Sequence, residues 1–263
     1  MIKNNDCTVL VISCDEYQDM IPPFSALWRK NWPDCPFEVV MVTENEAGSP
    51  ACGVFDKVIY THKTVSWSER VATALRQIDT PFVLLFLNDY FVSGKVPTSK
   101  VLIRLEQAIR FNALNLRLIP MPRAQLAFDS GDEELPLREY IKNTAYCIAT
   151  QLGFWDKKFL LRMVERTNSA WEFERKGSLM VGDEKYPILS VVQKEFPFLD
   201  AVHKGFWEKE TEKLLAANAV KVDFSRRGFV PASVKVKEYL RAKVVRMLPR
   251  AFLLRLRLKI KGA

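Results

Sequence analysis

The sequence predicts an α/β fold built on a mainly parallel sheet, and three observations carry that expectation. Short β-branched or apolar runs alternate with segments of helical periodicity. One of these runs, within PFVLLFLNDYFV from Pro81 to Val92, is apolar at consecutive positions until it stops at Asn88 and Asp89, as a strand buried on both faces reads. Three runs end in an acid: Asp15, Glu44 and Asp89. Helices covering both faces of a sheet, joined by right-handed crossovers, account for the first two. The acids point to function, because open α/β sheets bind ligands beyond the carboxyl ends of their strands.

Taken in order, Thr8–Ser13 is a β-branched strand, and Pro22 and Pro23 open a helix through Phe24, Leu27 and Trp28. Strands follow at Phe37–Thr43 and Val54–Thr61, separated by a loop over 46–53. Ser66 or Ser68 caps a helix with Val71, Leu75 and Ile78 on one face, and that helix leads into the Pro81–Val92 run. Val101–Phe111 is an amphipathic helix with Leu102, Leu105 and Ile109 inward and Arg104, Glu106 and Arg110 outward. Asn115–Met121 reads as a strand, followed by a long irregular acidic loop. Tyr146–Leu152 returns to the sheet, Phe154–Arg166 is helical, and Glu208–Ala219 is a plain helix.

At 263 residues the chain accommodates one large domain with an appendage. The expected division is a catalytic domain over 1–225 and a basic amphipathic segment over 226–263. The net charge of +8 resides in that segment: residues 235–263 hold ten Lys or Arg against one Glu, a net of +9, so the remainder is almost neutral. Five cysteines, Cys7, Cys14, Cys35, Cys52 and Cys147, show neither CxxC nor zinc spacing, which implies reduced thiols. The amino terminus lacks a leader pattern, and no run approaches the ~20 apolar residues of a spanning helix. A cytoplasmic protein is expected, peripheral on the inner face of the membrane.

A carboxylate at the end of the fourth strand, Asp89, suits a hard divalent cation whose other ligands are phosphate oxygens and water. Mg²⁺ or Mn²⁺ held in this way neutralises a diphosphate leaving group. The alternative for Asp89 is a turn cap after the strand.

The segments VLVISCDEYQD, PDCPFEVVMVT, WSERVATALRQIDTPFVLLFLNDYF, AYCIATQLGFWDKKFLLRM and WEFERKGS together resemble bacterial surface-polysaccharide glycosyltransferases of the GT-A fold. The resemblance spans about residues 8–210. It implies a nucleotide-sugar-binding α/β/α sandwich with a central mixed, mainly parallel sheet, a UDP-sugar as donor, and a glycan or lipid-linked acceptor. By the same resemblance Asp89 holds Mg²⁺ or Mn²⁺ and Asn88 lies beside it on the donor, although the family's second acid is replaced by that Asn88. Asp15 and Glu44 lie where the family contacts the nucleoside, Arg70 beneath the diphosphate, His203 on the metal or diphosphate, and Lys204 on the phosphates. Glu172 corresponds to the general base of an inverting displacement, with Glu174 as its rival and Trp171 and Phe173 as apolar walls. Arg70 as a solvated helix charge and His203 as a structural histidine remain the alternatives, and His62 carries no role.

In the tail, Val236, Tyr239, Leu240, Val244 and Met247 keep helical spacing, and Leu254–Ile260 alternate with basic residues. An interfacial basic helix on anionic lipid accounts for this pattern, ahead of packing on the catalytic domain or binding nucleic acid. Two other functions share some of these features. A sugar nucleotidyltransferase requires a Gly-rich loop after the first strand, where this chain has SCDEYQDMIPP. A non-catalytic membrane-associated module requires no carboxylate at Glu172.

Overall fold

A computed structural model of the chain describes residues 6–44, 54–234 and 236. These divide into two compact units, the first ending at Asp200 and the second beginning at Ala201. In chain order the first unit contains β1 (Cys7–Ile12), α1 (Ile21–Asn31), β2 (Glu38–Thr43), β3 (Lys57–Tyr60), α2 (Trp67–Arg76), β4 (Phe82–Leu87) and β5 (Tyr90–Val92). It continues with α3 (Thr98–Arg110), β6 (Asn115–Arg117), β7 (Leu126–Phe128), β8 (Leu137–Glu139) and β9 (Gly153–Asp156). It closes with α4 (Lys157–Val164), α5 (Ala170–Arg175), β10 (Ile188–Val191) and β11 (Phe198–Asp200).

The expected mixed, mainly parallel sheet with flanking helices is the observed architecture. Nine strands run in the order β3-β2-β1-β4-β9-β6-β10-β8-β7. β3, β2, β1 and β4 are mutually parallel, and β9 inserts antiparallel between β4 and β6. The density of apolar residues in β4 follows from its central place. Val83 and Leu85 face α2, α4 and α5 in a core with Val71, Leu75, Phe159 and Leu160. Phe86 points the other way, onto Trp28 of α1 at 5.2 Å and Phe196 at 5.5 Å between ring centres. Helix α2 starts where its sequence signal lies: Ser66 accepts the Glu69 N–H and the Glu69 side chain reaches back to the Ser66 N–H, a reciprocal capping box.

As expected, the buried strand in the Pro81–Val92 stretch ends at Asn88–Asp89; the chain turns there, and β5 leaves the main sheet to pair antiparallel with β11. Three expectations are corrected. The acidic segment after Asn115–Met121 contains β7 and β8, which pair with each other and, through β10, extend the sheet edge. The returning strand is Gly153–Asp156 rather than Tyr146–Leu152, so Phe154 and Trp155 belong to β9, and the helix begins only after Asp156 caps it. Arg104, expected to face outward, is 1 % exposed and forms a bidentate pair with Glu195 at 2.7 and 2.5 Å. A buried guanidinium is tolerated because it is paired and hydrogen-bonded.

The second unit opens with a hairpin of β12 (Val202–His203) and β13 (Phe206–Trp207). Its two-residue turn, Lys204–Gly205, has positive φ at both positions (51° and 84°), the conformation that matches hairpin twist and that glycine relieves. Helix α6 (Lys209–Ala217) follows, and Trp207 packs on Phe224. Among the described residues no helix is long and apolar enough to cross a membrane. The loop expected over 46–53 and nearly all of the basic tail over 235–263 lie outside the described residues.

Candidate active site

The strand order reverses beside β1. After β2 and β3 are laid on one side of it, the chain crosses to place β4 on the other. Connections leaving β1 and β4 at their carboxyl ends therefore diverge, and this is where a parallel sheet opens a ligand crevice. The register brings the rims level, since Ile12 stands opposite both Val42 and Leu87. Ser13 to Asp15, Thr43 to Glu44 and Asn88 to Asp89 consequently leave the sheet side by side.

A buried brace underlies this rim. Arg70, on α2, is 5 % exposed. Its guanidinium pairs with the Glu44 carboxylate and donates to the Ser13 carbonyl at 3.3 Å, while its Nε reaches Thr61 Oγ1 at 3.4 Å. Glu44 also accepts the backbone N–H of Asp15 at 3.0 Å, and Gln18 donates to Asp15 Oδ1 at 2.9 Å. Asn88 is buried too, donating from Nδ2 to Ser13 Oγ at 2.8 Å and to the Tyr17 carbonyl at 2.9 Å. Both side chains tie the ends of β1, β2 and β4 together. Arg70 is thus neither a solvated helix charge nor a cation presented on the surface.

A second cluster lies past the turn. The register of β5 with β11 sets Tyr90 opposite Asp200. Burial first, and then the carboxylates of Asp89, Asp200 and Glu174, push the Tyr90 phenol well above its ordinary range, while a hydrogen bond with Thr150 acts the other way. Four segments remote in sequence converge here. Glu174 Oε1 accepts both the N–H of Thr150 at 2.9 Å and its hydroxyl at 2.8 Å. Glu174 also acts on Arg117, which is fully buried, stacks on Tyr140 at 4.3 Å and donates to the carbonyls of Tyr146 and Cys147 at 2.8 and 2.6 Å. Burial lowers the Arg117 pKa, opposed by Tyr140, Cys147 and Glu174.

Glu172 has a different environment. It stands in the first turn of α5, pairs with Lys176 and accepts the Asn168 N–H at 2.9 Å. The Lys176 bond foremost, then the Asn168 N–H, hold its carboxyl below the usual range. Of the two aromatics beside it, Phe173 is buried in the core against Trp67 and Trp155, at 5.7 and 5.6 Å, and Trp171 is 71 % exposed. His203 ends β12 and Lys204 occupies the hairpin turn of the second unit. Cys7, Cys14, Cys35 and Cys147, the described cysteines, are all free thiols.

Among the described residues no three His, Cys, Asp or Glu side chains gather as a metal-binding group. The donors at hand, Asp89 and Asp200, which both act on the Tyr90 phenol, suit a hard cation that takes few protein ligands and completes its shell with phosphate and water. A hollow of about 510 Å³ lined by Thr8, Cys35, Phe37, Glu38, Asp56 and Thr80 lies at the opposite, amino ends of β1 and β2. It contains none of the carboxylates at the rim just described.

Thr150, Tyr90 and Asp200 were not singled out in the sequence. Tyr90 sits inside the NDYF element and was legible there. Thr150 and Asp200 carry no local signal, since their place depends on α5 and on the pairing of β11 with β5.

No protein-family model matches the chain, and no curated protein matches it. Several solved structures overlap it. Staphylococcus aureus TarS 1-349 in complex with UDP is 13% identical over 82% of this chain and 66% of that one, with a TM-score of 0.45. The mannosyltransferase PcManGT from Pyrobaculum calidifontis, in complex with GDP-Man and Mn2+, is 14% identical over 76% and 58% of the two chains, with a TM-score of 0.46. A cytidylyltransferase from Leptospira borgpetersenii is 8% identical over 81% and 95%, with a TM-score of 0.44. The chain spans 36% of the length of a longer TarS structure. Overlap at this level assigns neither substrate nor reaction to the present chain.

Proposed function

We propose that the protein is a glycosyltransferase that moves a sugar from a nucleotide-sugar donor, a UDP-sugar foremost, to a glycan or lipid-linked acceptor in surface-polysaccharide synthesis. The observation that supports it best is the convergence of three carboxylates from distant segments on one buried phenol. Asp89 and Asp200 both act on Tyr90 at the turn after β4, and Glu174, which also acts on Tyr90, accepts from Thr150.

In this reading Asp15, fixed through Glu44 and the Arg70 brace, meets the nucleoside. Arg70 and Asn88 act as positioning residues rather than as ligands. Asp89 and Asp200 are the residues that would hold Mg²⁺ or Mn²⁺, which when bound supplies positive charge to the departing diphosphate. Glu174 receives the proton of the acceptor hydroxyl as its oxygen bonds to the anomeric carbon. The acceptor oxygen attacks the face opposite the nucleoside diphosphate, which leaves with the electrons of the breaking bond, so the configuration inverts. Glu174 is preferred to Glu172 as this base because it acts on the same phenol as Asp89 and Asp200, whereas Glu172 is paired with Lys176.

Two products separate this reading from a nucleotidyltransferase: a glycosyltransferase releases nucleoside diphosphate, a nucleotidyltransferase pyrophosphate. With UDP-sugars and lipid-linked acceptors from a bacterial membrane extract, the wild type is expected to release UDP. Glu174→Gln, which keeps an acceptor for Thr150, should lower turnover about 10²–10⁴-fold, the usual contribution of a general base. Glu172→Gln should stay within about threefold of wild type. Release of pyrophosphate from UTP and a sugar 1-phosphate in a parallel assay, or the reverse order of the two variants, would remove this assignment.

A further inference from the structure

Both hydrogen bonds that Glu174 accepts from Thr150 fall on one of its oxygens. The N–H and the hydroxyl of Thr150 converge on Oε1 at 2.9 and 2.8 Å, which occupies that oxygen and leaves Oε2 for a substrate hydroxyl. A hydroxyl has one proton to give and two lone pairs with which to accept. Thr150 gives its proton to Glu174, so in its hydrogen bond with Tyr90 it accepts and the phenol donates. The result is a chain of donors that runs from Tyr90 through Thr150 to the Glu174 carboxylate. Tyr90 and Thr150 are 5 % and 7 % exposed, so water competes little for these bonds, and each is stronger than it would be in solvent.

The segment that carries Thr150 is fastened without the help of that hydroxyl. From β6, Arg117 donates to the carbonyls of Tyr146 and Cys147 at 2.8 and 2.6 Å. Just beyond β6, the Leu118 N–H reaches the Leu152 carbonyl at 3.0 Å. From the other side the Ser178 hydroxyl bridges the N–H and carbonyl of Ile148 at 3.1 and 3.0 Å. Ser178 lies in the turn Gly177–Leu179 that follows α5, four residues after Glu174. The loop is therefore clamped both to the sheet and to the end of the helix that carries the carboxylate. What the Thr150 hydroxyl adds is the direction in which Glu174 points.

We propose that Thr150 is the positioning residue of the base, aiming Glu174 so that Oε2 receives the acceptor proton, and that Tyr90 fixes the Thr150 hydroxyl in turn. The proposal rests on the assignment of Glu174 as that base. Tyr90 directly follows Asp89, so the turn that presents the donor-side acid also supplies the first donor of the chain. A reacting group held in this way is already oriented when the acceptor arrives, and that orientation acts on the chemical step rather than on binding.

Turnover is followed as UDP release by the full chain, with the UDP-sugars and acceptor extract used for Glu174→Gln. Thr150→Val keeps the backbone donor and nearly the same volume and deletes only the hydroxyl. It should lower kcat about 10–100-fold, the cost of a slightly misplaced reacting group. KM for the UDP-sugar, and affinity for UDP with Mn²⁺, should stay within about threefold of wild type. Thr150→Ser restores the hydroxyl and should return kcat to within about threefold of wild type. Tyr90→Phe should lower kcat about threefold to tenfold, the worth of one hydrogen bond. Thr150→Val/Tyr90→Phe should be no slower than Thr150→Val alone, because the phenol acts through the threonine. Additive losses in the double variant, no recovery with serine, or UDP affinity falling in step with kcat would overturn the proposal. Wild-type turnover in Thr150→Val beside a slow Glu174→Gln would overturn it while leaving the base assignment standing. Wild-type turnover in Glu174→Gln would remove the base assignment and this proposal with it.

Discussion

Replacing Arg70 by methionine keeps most of the side-chain volume but removes the cation beneath the rim. The Glu44 side chain is only 14 % exposed and also holds the Asp15 N–H, so its charge would be left largely unsolvated and uncompensated. Breaking a buried pair on one side costs roughly 3–5 kcal/mol, and the residual exposure of Glu44 places this case near about 3 kcal/mol. For a chain of this size that corresponds to a fall in Tm of about 6–10 °C. Thermal unfolding followed by circular dichroism measures it directly. Arg70→Met combined with Glu44→Gln should recover about half of the loss, because the stranded charge is gone. Affinity for a nucleoside diphosphate should fall in the single variant as the β1 and β2 ends loosen. A loss below about 1 kcal/mol, the value of a solvated surface pair, would refute the brace and its role in shaping the crevice.

Gly153→Ala tests the packing of β9 between β4 and β6. A Cβ there would stand 2.7 Å from the Leu116 carbonyl and 2.9 Å from Arg117 Cα, both backbone, so a loss of about 1–3 kcal/mol in urea denaturation is expected. Tyr90→Phe tests the second cluster through pH. The folded state raises the phenol above its unfolded value near 10, so the contribution is present below about pH 10 and is lost as pH rises beyond it. The wild type should therefore lose stability over that alkaline limb more steeply than Tyr90→Phe, and parallel curves would show that the phenol is not held above its ordinary range by burial and the neighbouring carboxylates. Both variants are read against the Glu174→Gln and Glu172→Gln turnover comparison given above.

The parts of the fold that were legible in the sequence are those whose signal is local. β1 and β2 are consecutive β-branched runs, and α2 announces itself through Ser66 and Glu69. The acids at the strand ends were legible because a hydrophobic run that stops at a carboxylate is unusual in itself. What escaped depends on partners distant in the chain. Phe154 and Trp155 continue a helical spacing with Phe159, and only pairing on both edges with β4 and β6 makes them a strand. Arg104 reads as a solvent-facing charge on α3 until Glu195, 91 residues later, is seen to meet it. Glu172 and Glu174 are alike in sequence, two acids in one aromatic stretch. Their difference comes from Lys176 one helical turn after the first and from Thr150 in another segment opposite the second.

The claim that the rim after β4 grips a diphosphate is tested most directly by isothermal titration of the full chain with UDP, GDP and CDP in turn, each with Mn²⁺, for wild type and Asp89→Ala. The wild type should give saturable heat with at least one nucleotide, with a dissociation constant in the range of about 1 µM to 1 mM common to such ligands. Asp89→Ala should weaken that binding at least about tenfold and abolish its dependence on Mn²⁺. Absence of heat with all three nucleotides in the wild type, or equal heat in the two proteins, would contradict the account.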